Sequence, residues 1–291
     1  MSCLTPVQAY RSKLRNASGK RSVVFNRDEG LVDLPVQFAC GKCKNCRLRR
    51  SKEWAIRCVH EASLHARNSF ITLTYRPKDR PDKLTHFGEL GFQRFMKRLR
   101  KAVSPHRVRF YMCGEYTPIN RYPHFHAILF GYDFPDRKKL SIRNGNQLYI
   151  SEQLTNLWPF GYHVIAENNF KTAAYVARYI MDKKDGDLAT EYEPYACMSR
   201  NPGIGHDWWQ SKGKYDLALH DFCVLDGKKM QPPKYYDNLF INEDEHSFNI
   251  IRHTRKRLAK KREDDNLPER IEARWKCSLA RVKLLKRELE Q

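Results

Sequence analysis

The chain has 291 residues, of which 41% are hydrophobic, so it carries enough apolar side chains to bury a core. Its formal net charge of +21 predicts a polyanionic partner, and its 12% of aromatic residues favour nucleic acid over an acidic membrane surface. No stretch approaches the roughly 20 consecutive apolar residues of a membrane-spanning helix, and residues 1–13 lack the apolar segment of a signal peptide. We therefore expect an intracellular protein whose nine cysteines are free thiols or metal ligands rather than disulfides.

Three closely spaced cysteines follow a segment that is predicted to be irregular. Residues 1–40 have the composition of a turn-rich lead-in that ends in one short strand, LVDLPVQFA. Cys40, Cys43 and Cys46 then form C-x-x-C-x-x-C, and thiolates at this spacing favour a tetrahedral Zn²⁺ site. The alternative is a turn that carries reduced thiols. The candidates for the fourth zinc ligand are Cys3 as the first choice and, behind it, Cys58 and His60.

The next part of the chain is predicted to alternate between helices and strands. A helix is expected from Arg47 to His65, and SFITLTY at 69–75 is expected to be a strand. A basic amphipathic helix follows, with Phe92 and Leu99 on its apolar side. The first of these helices begins with cations that are suited to bind DNA phosphates, namely Arg47, Arg49 and Arg50.

Two histidines alternate within a predicted β-hairpin made of RVRFYMCGEY at 107–116 and PHFHAILFGY at 123–132. Alternate residues of a strand share a face, so His124 and His126 point the same way, either into a metal site or onto a solvated sheet face. If the numbers of paired residues sum to 239, Glu115 lies opposite His124, on the same face. Two imidazoles and one carboxylate would leave positions of a divalent ion open for water and a substrate phosphate. These ligands fit Mn²⁺, and Mg²⁺ is the abundant alternative.

Two tyrosines lie four residues apart in AAYVARYIMDKK, which is predicted to be a helix. Tyr175 and Tyr179 project from its polar side, whereas packing tyrosines would normally lie on the apolar side. A phenol with a pKa near 10 needs a polarised phosphate, a base or a cation to act as a nucleophile. Arg178 and Lys183 are the nearby cations.

The remainder of the chain is expected to be loop-rich beyond Asp185 and to end in basic helical segments that begin at His253 and break near Pro268. These segments are either a solvated helical face or a contact with the DNA backbone. The sequence contains no G-x-x-x-x-G-K-[ST] motif, so no helicase motor is expected.

Taken together, these motifs resemble the HUH-type rolling-circle replication initiators, and most closely those of the gokushovirus branch of the Microviridae, which are small single-stranded DNA phages. The resemblance extends over roughly residues 40–205. It is carried by FITLTY, CGEY, RYPHFHAILFG, WPFGY, AAYVARYIMDKK, CGKCKNCRLRRSKEWAIRCVHEASL and MSRNPGIG. Related initiators often have lysine at the position of Arg178. Arginine keeps the charge there but stays protonated, so it could not shuttle a proton.

The resemblance implies an α+β fold with a central antiparallel sheet flanked by helices, of the ferredoxin- or RRM-like HUH endonuclease type. It also implies that a tyrosine attacks the replication origin, forming a 5′-phosphotyrosine link and a free 3′-hydroxyl primer. His124 and His126 become metal ligands with Glu115 as the third, and Tyr175 and Tyr179 become alternating nucleophiles.

The expected organisation is a cysteine-rich element with a basic helix at 1–66, an endonuclease domain at 67–240 and a basic helical tail at 241–291. The expected cofactors are Mg²⁺ or Mn²⁺ and a structural Zn²⁺. The expected partners are single-stranded and supercoiled origin DNA and a host helicase and polymerase, in the cytoplasm of a bacterial host and without a membrane. The alternatives are a non-catalytic, zinc-containing nucleic-acid-binding protein and an HUH relaxase or transposase.

Overall fold

The computed structural model describes residues 3–79, 87–116, 123–143, 145–167, 195–225, 227–261 and 263–283. The chain forms two compact units, one made of Met1–Arg49 and Arg262–Leu285 and the other of Arg50–Lys261 and Lys286–Gln291. No helix in the described part of the chain is both long enough and apolar enough to cross a membrane.

The first unit contains a three-stranded antiparallel sheet in the order β2-β1-β3. Its strands are β1 (Val7–Arg15), β2 (Arg21–Val24) and β3 (Gly30–Phe38). The expectation of an irregular lead-in with a single strand is therefore wrong. Ala9 is the one fully buried residue of β1, so this segment lacks the apolar alternation by which strands are predicted.

Helix α1 (Lys44–Ala62) follows the cysteine-rich segment and contributes residues to both units. Its bounds agree to within three residues with the helix predicted from Arg47 to His65. Within the second unit its buried side includes Ala55, Ile56 and Cys58. The spacing of these residues puts them on one face of the helix.

An antiparallel sheet of seven strands forms the centre of the second unit, in the order β10-β5-β6-β4-β9-β8-β7. The predicted strand at 69–75, the predicted hairpin and the GYHVIAE strand are all present in it. The strands are β4 (Asn68–Tyr75), β5 (Arg109–Tyr116), β6 (Pro123–Phe130), β7 (Lys138–Arg143), β8 (Asn146–Ile150), β9 (Gly161–Glu167) and β10 (Tyr195–Met198).

One face of this sheet packs against two helices, α2 (Phe87–Ala102) and α3 (Glu152–Leu157). Ile71 and Leu73 of β4 and Phe125 of β6 are completely buried there. The apolar side predicted for the amphipathic helix meets them, because Phe92, Phe95, Met96 and Leu99 belong to the same cluster. The α+β fold class, with an antiparallel sheet flanked by helices, is thus confirmed.

The other face of the sheet packs against α1 near one end of the strands. Phe70, Tyr111, Ile128 and Phe130 form a cluster there with Cys58 and with the half-buried Trp54, Val59 and Ala62. A buried ion pair strengthens this contact, since Arg109 Nε donates to Glu61 Oε1 at 2.5 Å. The amide of Gly205 donates to Glu61 Oε2 at 2.7 Å, which ties the loop after β10 to the helix.

The chain beyond β10 is more regular than expected. A helical turn at His206–Trp208 and a π-helical segment at Trp209–Gly213 lead into α4 (Lys214–His220), and the hairpin of β11 (Cys223–Leu225) and β12 (Lys228–Met230) follows. Helix α5 (Lys234–Glu243) comes next. The expectation of a loop-rich region is wrong for these segments. The two basic helical segments predicted at the end are confirmed as α6 (Glu245–Lys260) and α7 (Pro268–Lys283).

A second cluster of large side chains joins α1 to this later region. The His60 ring stacks on Trp208 with their ring centroids 3.5 Å apart, and His60 Nδ1 lies 2.9 Å from the hydroxyl oxygen of Tyr236. Trp209 and Phe240 complete the aromatic packing around Tyr236. His60 is only 5% exposed, so the charged form of its ring is disfavoured.

Acidification is expected to destabilise the second unit through His60. Burial lowers the pKa of His60 to about 3, whereas a histidine in the unfolded chain titrates near 6.5. Between these values the unfolded chain binds a proton that the folded chain does not. The free energy of unfolding should therefore fall by up to about 1.4 kcal/mol per pH unit as the pH drops from about 6.5 towards 3. Urea unfolding at several pH values measures this slope.

The variant His60→Gln separates this contribution from other titrating groups, because glutamine does not titrate and can still hydrogen bond to Tyr236. We expect it to reduce the slope by about one proton. His253→Gln, on an exposed part of α6, is the matched control and should keep the slope. Equal slopes in the wild type and His60→Gln would contradict the prediction.

Candidate active site

The pairing of β5 with β6 brings the predicted metal ligands onto one face of the sheet. Glu115 lies opposite His124 and Cys113 opposite His126, which is the predicted register. His126 Nε2 lies 2.7 Å from Glu115 Oε1, and both side chains are largely buried. Phe70 stacks against the His126 ring at a centroid distance of 6.0 Å. The carboxylate and this imidazole therefore form one polar pair beside the apolar cluster under α1.

Two threonines of β4 hold the imidazole rings from the other side. Thr72 pairs with His126 and Thr74 with His124, and the hydroxyl oxygens lie 3.0 and 2.8 Å from the respective Nδ1 atoms. A hydroxyl can donate or accept a hydrogen bond. It can donate to Nδ1 while Nε2–H bonds to a carboxylate, or accept from Nδ1–H when Nε2 binds a metal ion. Nε2 of each ring is therefore the nitrogen presented to a ligand.

Sequence reasoning missed the role of these threonines. The signal was present, because T-x-T at 72–74 has the same alternation as H-x-H at 124–126 and lies in the neighbouring strand. Hydrogen bonds of this kind fix the orientation of metal-binding histidines.

The donor set fits a divalent ion in its chemistry and requires a small adjustment in its geometry. The rings of His124 and His126 are parallel within 8° and their centroids are 6.3 Å apart. Two nitrogens at about 2.1 Å from one ion are at most about 4 Å apart, so the rings must turn towards each other to share it. Two imidazoles and a carboxylate are suitable ligands for Mn²⁺ and related ions.

An exposed tyrosine lies on the same face, two strands from His124. Tyr162 of β9 pairs with Thr74 of β4, and 65% of its surface is accessible. The neighbouring Gly161 makes this arrangement possible. A Cβ atom there would lie 1.8 Å from the carbonyl oxygen of Thr74, so any other residue would push β9 away from β4. Tyr162 was not singled out from the sequence, and its position makes it the nearest described phenol to consider.

The other predicted site residues lie in two places. Tyr175, Arg178, Tyr179 and Lys183 lie outside the described residues, so their relation to the histidines stays a prediction. The three arginines expected to bind phosphates lie in the first two turns of α1, and Arg50 is exposed.

Four cysteines of the first unit gather as a candidate zinc site. The sulfur atoms of Cys3, Cys40, Cys43 and Cys46 all lie within 4.8 Å of one another, and those of Cys3 and Cys43 are 3.9 Å apart. A tetrahedral ion with bonds of about 2.3 Å places its sulfurs about 3.8 Å apart, so this group could hold a structural metal such as zinc. In the part of the chain that the structure describes, no other group of three or more cysteine, histidine or acidic residues gathers this closely.

The other candidates for the fourth zinc ligand are used differently. Cys58 is buried in the cluster with Phe70 and Tyr111, and His60 stacks on Trp208. Cys3, the first choice from the sequence, therefore completes the four-cysteine group.

Hydrogen bonds to sulfur prepare this cluster for a cation. The amide of Cys43 and the hydroxyl of Thr5 donate to Cys40 Sγ at 3.2 and 3.3 Å, and the amide of Cys40 donates to Cys3 Sγ at 3.2 Å. Burial raises the pKa of Cys40, but these hydrogen bonds outweigh it and lower that pKa to about 6. Burial dominates at Cys46 and raises its pKa to about 12. A bound dication favours the thiolate form of every sulfur it touches.

Comparison with known proteins gives the class to which this site belongs. Residues 68–185 match the family model of the replication-associated protein ORF2. This segment includes the histidine strand, the threonine strand and the two predicted tyrosines. The resemblance expected from the motifs is thereby confirmed.

Particular relatives come from phages. The chain is 28% identical to the replication-associated protein VP4 of Bdellovibrio phage phiMH2K, over 82% of this chain and 77% of the relative. It is 27% identical to the replication-associated protein ORF2 of Spiroplasma virus 4, over 90% and 88% of the two chains. It is 29% identical to the replication-associated protein ORF4 of Chlamydia phage 1, over 70% of this chain and 54% of the relative. No solved structure matches the chain.

Purified protein is expected to contain about one Zn²⁺ per chain if chelators are avoided and the thiols are kept reduced. Cys40→Ser should lose most of this metal, because it removes one of four thiolates, whereas Cys277→Ser should keep it, since Cys277 is exposed in α7 and outside the group. Elemental analysis measures the metal content. Wild-type protein without zinc, or equal zinc in both variants, would contradict the assignment.

Proposed function

We propose that this protein is a metal-dependent DNA nicking and joining enzyme that initiates rolling-circle replication of a phage genome. The observation that supports this most is the pair of parallel imidazoles on β6. Each is oriented by a threonine, and His126 is paired at 2.7 Å with a carboxylate. This arrangement lies inside the segment that matches the replication-associated family.

The proposed reaction is two successive transesterifications. The phenolic oxygen of Tyr175 or Tyr179 attacks the phosphorus of an origin phosphodiester, and the bond from phosphorus to the 3′ oxygen breaks. The phenol loses its proton and the departing 3′ oxygen gains one, which leaves a 5′-phosphotyrosine link and a 3′-hydroxyl primer. The other tyrosine attacks a second phosphodiester after one round of synthesis, and a 3′-hydroxyl then displaces the first tyrosine to close the circle. The phosphotyrosine link conserves the energy of the broken bond, so no ATP is needed.

In this proposal each part of the site has a separate task. His124, His126 and Glu115 hold Mg²⁺ or Mn²⁺, and the ion supplies positive charge to the oxygens of the attacked phosphate. Thr72 and Thr74 keep the Nε2 atoms directed at that position. The cations of the tyrosine segment, Arg178 and Lys183, stabilise the ionised phenol.

The organisation and partners follow from the same proposal. The cysteine-rich element at 1–66 and the tail at 241–291 would add DNA contacts to an endonuclease domain at 67–240. Arg47, Arg49 and Arg50 would bind backbone phosphates. The DNA partner is the origin, single-stranded or supercoiled, in the cytoplasm of a bacterial host. A host helicase and polymerase extend the primer.

Replacing both predicted nucleophiles should abolish covalent attachment to DNA. The protein is incubated with single-stranded fragments of the phage genome and Mn²⁺, and the adduct that survives denaturation is measured by gel shift. We expect no adduct from Tyr175→Phe combined with Tyr179→Phe while DNA binding persists, because only the nucleophiles are removed.

The matched control is Tyr162→Phe, which removes an exposed phenol from the same sheet face. It should keep the adduct. Residual adduct in the double variant, together with its loss in Tyr162→Phe, would identify Tyr162 as the nucleophile instead. A wild-type protein that binds DNA and never forms an adduct would support the non-catalytic alternative. Cleavage confined to a plasmid-transfer or transposon-end sequence would support a relaxase or transposase.

The metal ligands and the residues that orient them should respond differently to added metal. His126→Ala removes a ligand, so we expect cleavage to be lost and not restored by excess Mn²⁺. Thr72→Val removes only the hydrogen bond to His126, so we expect the Mn²⁺ requirement to rise about 10–100-fold with the maximal rate largely retained. Titration of cleavage with Mn²⁺ measures both. Normal cleavage by His126→Ala would remove this histidine from the site.

A further inference from the structure

An arginine-rich recess lies at the opposite end of β5 from Glu115. Its volume is about 440 Å³, and it is formed where the loop before β5 meets the residues after β10. Its walls include four arginines and a histidine, and none of its lining residues is acidic. The basic residues are Arg100, His106, Arg107, Arg109 and Arg200.

The positive charge of the recess is only partly balanced. Arg109 is buried and neutralised by Glu61 on α1, at 2.5 Å. Arg100, Arg107 and Arg200 are exposed and carry their guanidinium groups at the recess. Three guanidinium groups around one concave surface form a site for an anion with several oxygens.

Two of these arginines are held in place by backbone carbonyls. Arg100 Nε and Nη2 donate to the carbonyl oxygen of Val108 at 3.4 and 3.3 Å, and Arg107 Nη2 donates to that of Asn201 at 3.0 Å. A guanidinium group has five N–H donors, so these bonds orient it without using its whole capacity. The site is therefore preorganised, which reduces the entropy lost when a ligand binds.

The arginines also repel one another. Burial lowers the pKa of Arg100 below the usual arginine value, and the charge of Arg107 lowers it further. A guanidinium group nevertheless stays protonated at neutral pH, so the repulsion remains until an anion enters. Binding of an anion would relieve it.

We propose that this recess binds a phosphate group of the DNA backbone, away from the nicking site. The proposal takes DNA as the partner from the proposed function. Arg109 and Glu115 are six positions apart on β5, a separation of about 20 Å. That distance corresponds to about six base-pair steps along duplex DNA. The recess therefore holds DNA that flanks the nicked phosphodiester and fixes its position.

The test compares two double variants that each remove two positive charges. Arg107→Gln with Arg200→Gln removes the recess charges. Lys139→Gln with Arg143→Gln is the matched control, on the exposed strand β7 at the opposite edge of the sheet. The Kd for a duplex oligonucleotide is measured at several salt concentrations. We expect the recess variant to bind about tenfold more weakly and its salt slope to fall by about one, because one phosphate contact is lost. The control should change less than twofold.

Arg200→Gln alone leaves the hydrogen bond of Arg107 to Asn201 in place, so it should lower the affinity in part without disturbing the loop. Equal losses in the recess and control variants would overturn the proposal, since they would reflect overall charge. Inorganic phosphate that raises the unfolding temperature of the wild type but not of the recess variant, with DNA affinity unchanged between them, would assign the recess to a small phosphate ligand and also overturn it.

Adduct formation separates this proposal from the proposed function. At saturating DNA the recess variant should form the covalent adduct as the wild type does, because the reacting groups are untouched. A wild type without adduct whose affinity still depends on the recess would contradict the nicking function alone.

Discussion

The constraint on which the site depends is the register of three antiparallel strands, β5, β6 and β4. Side chains alternate between the faces of a sheet, so one register sends Leu73 and Phe125 into the apolar core under α2 and sends His126 and Thr72 to the other face. A slip of one residue would bury the polar groups in that core and expose the apolar ones. Burial of those apolar side chains therefore holds the imidazoles and the threonines together.

The opposite face of the sheet is divided along its strands. Near one end, Phe70 and Tyr111 pack under α1, and the buried pair of Glu61 and Arg109 ties that helix to the sheet and to Gly205. Burial raises the pKa of Glu61, but the hydrogen bonds from His65, the Gly205 amide and Arg109, with the charge of Arg109, outweigh it and lower that pKa. The carboxylate thus stays charged at neutral pH. Further along, the same face becomes polar, and the candidate metal ligands begin where the apolar cluster ends. A rigid apolar support next to a polar site is what positions ligands accurately.

The parts that could be predicted are those in which local pattern and packing agree. The hairpin register follows from alternation in CGEY and PHFHAILF, and the amphipathic helix from its 3.6-residue period. Gly114 in CGEY has a packing reason that sequence does not reveal, because a Cβ atom there would lie 2.4 Å from the Tyr195 ring across β5. The three-stranded sheet of the first unit was missed because its strands bury few side chains. The packing of His60 between Trp208 and Tyr236 joins residues about 150 or more positions apart, which no local pattern records.

The two phosphate-binding tasks proposed for this protein need different kinds of side chain. The position of the DNA has to be held throughout the reaction, and guanidinium groups suit this because they remain charged at every accessible pH and donate several hydrogen bonds at fixed angles. A metal site instead has to accept an ion in place of a proton. Imidazoles backed by threonine hydroxyls suit that task, because the hydroxyl reverses its hydrogen bond when Nε2 changes partner. Placing the arginines and the histidines at opposite ends of β5 keeps the strong positive potential of the first group from competing with the binding of a cation by the second.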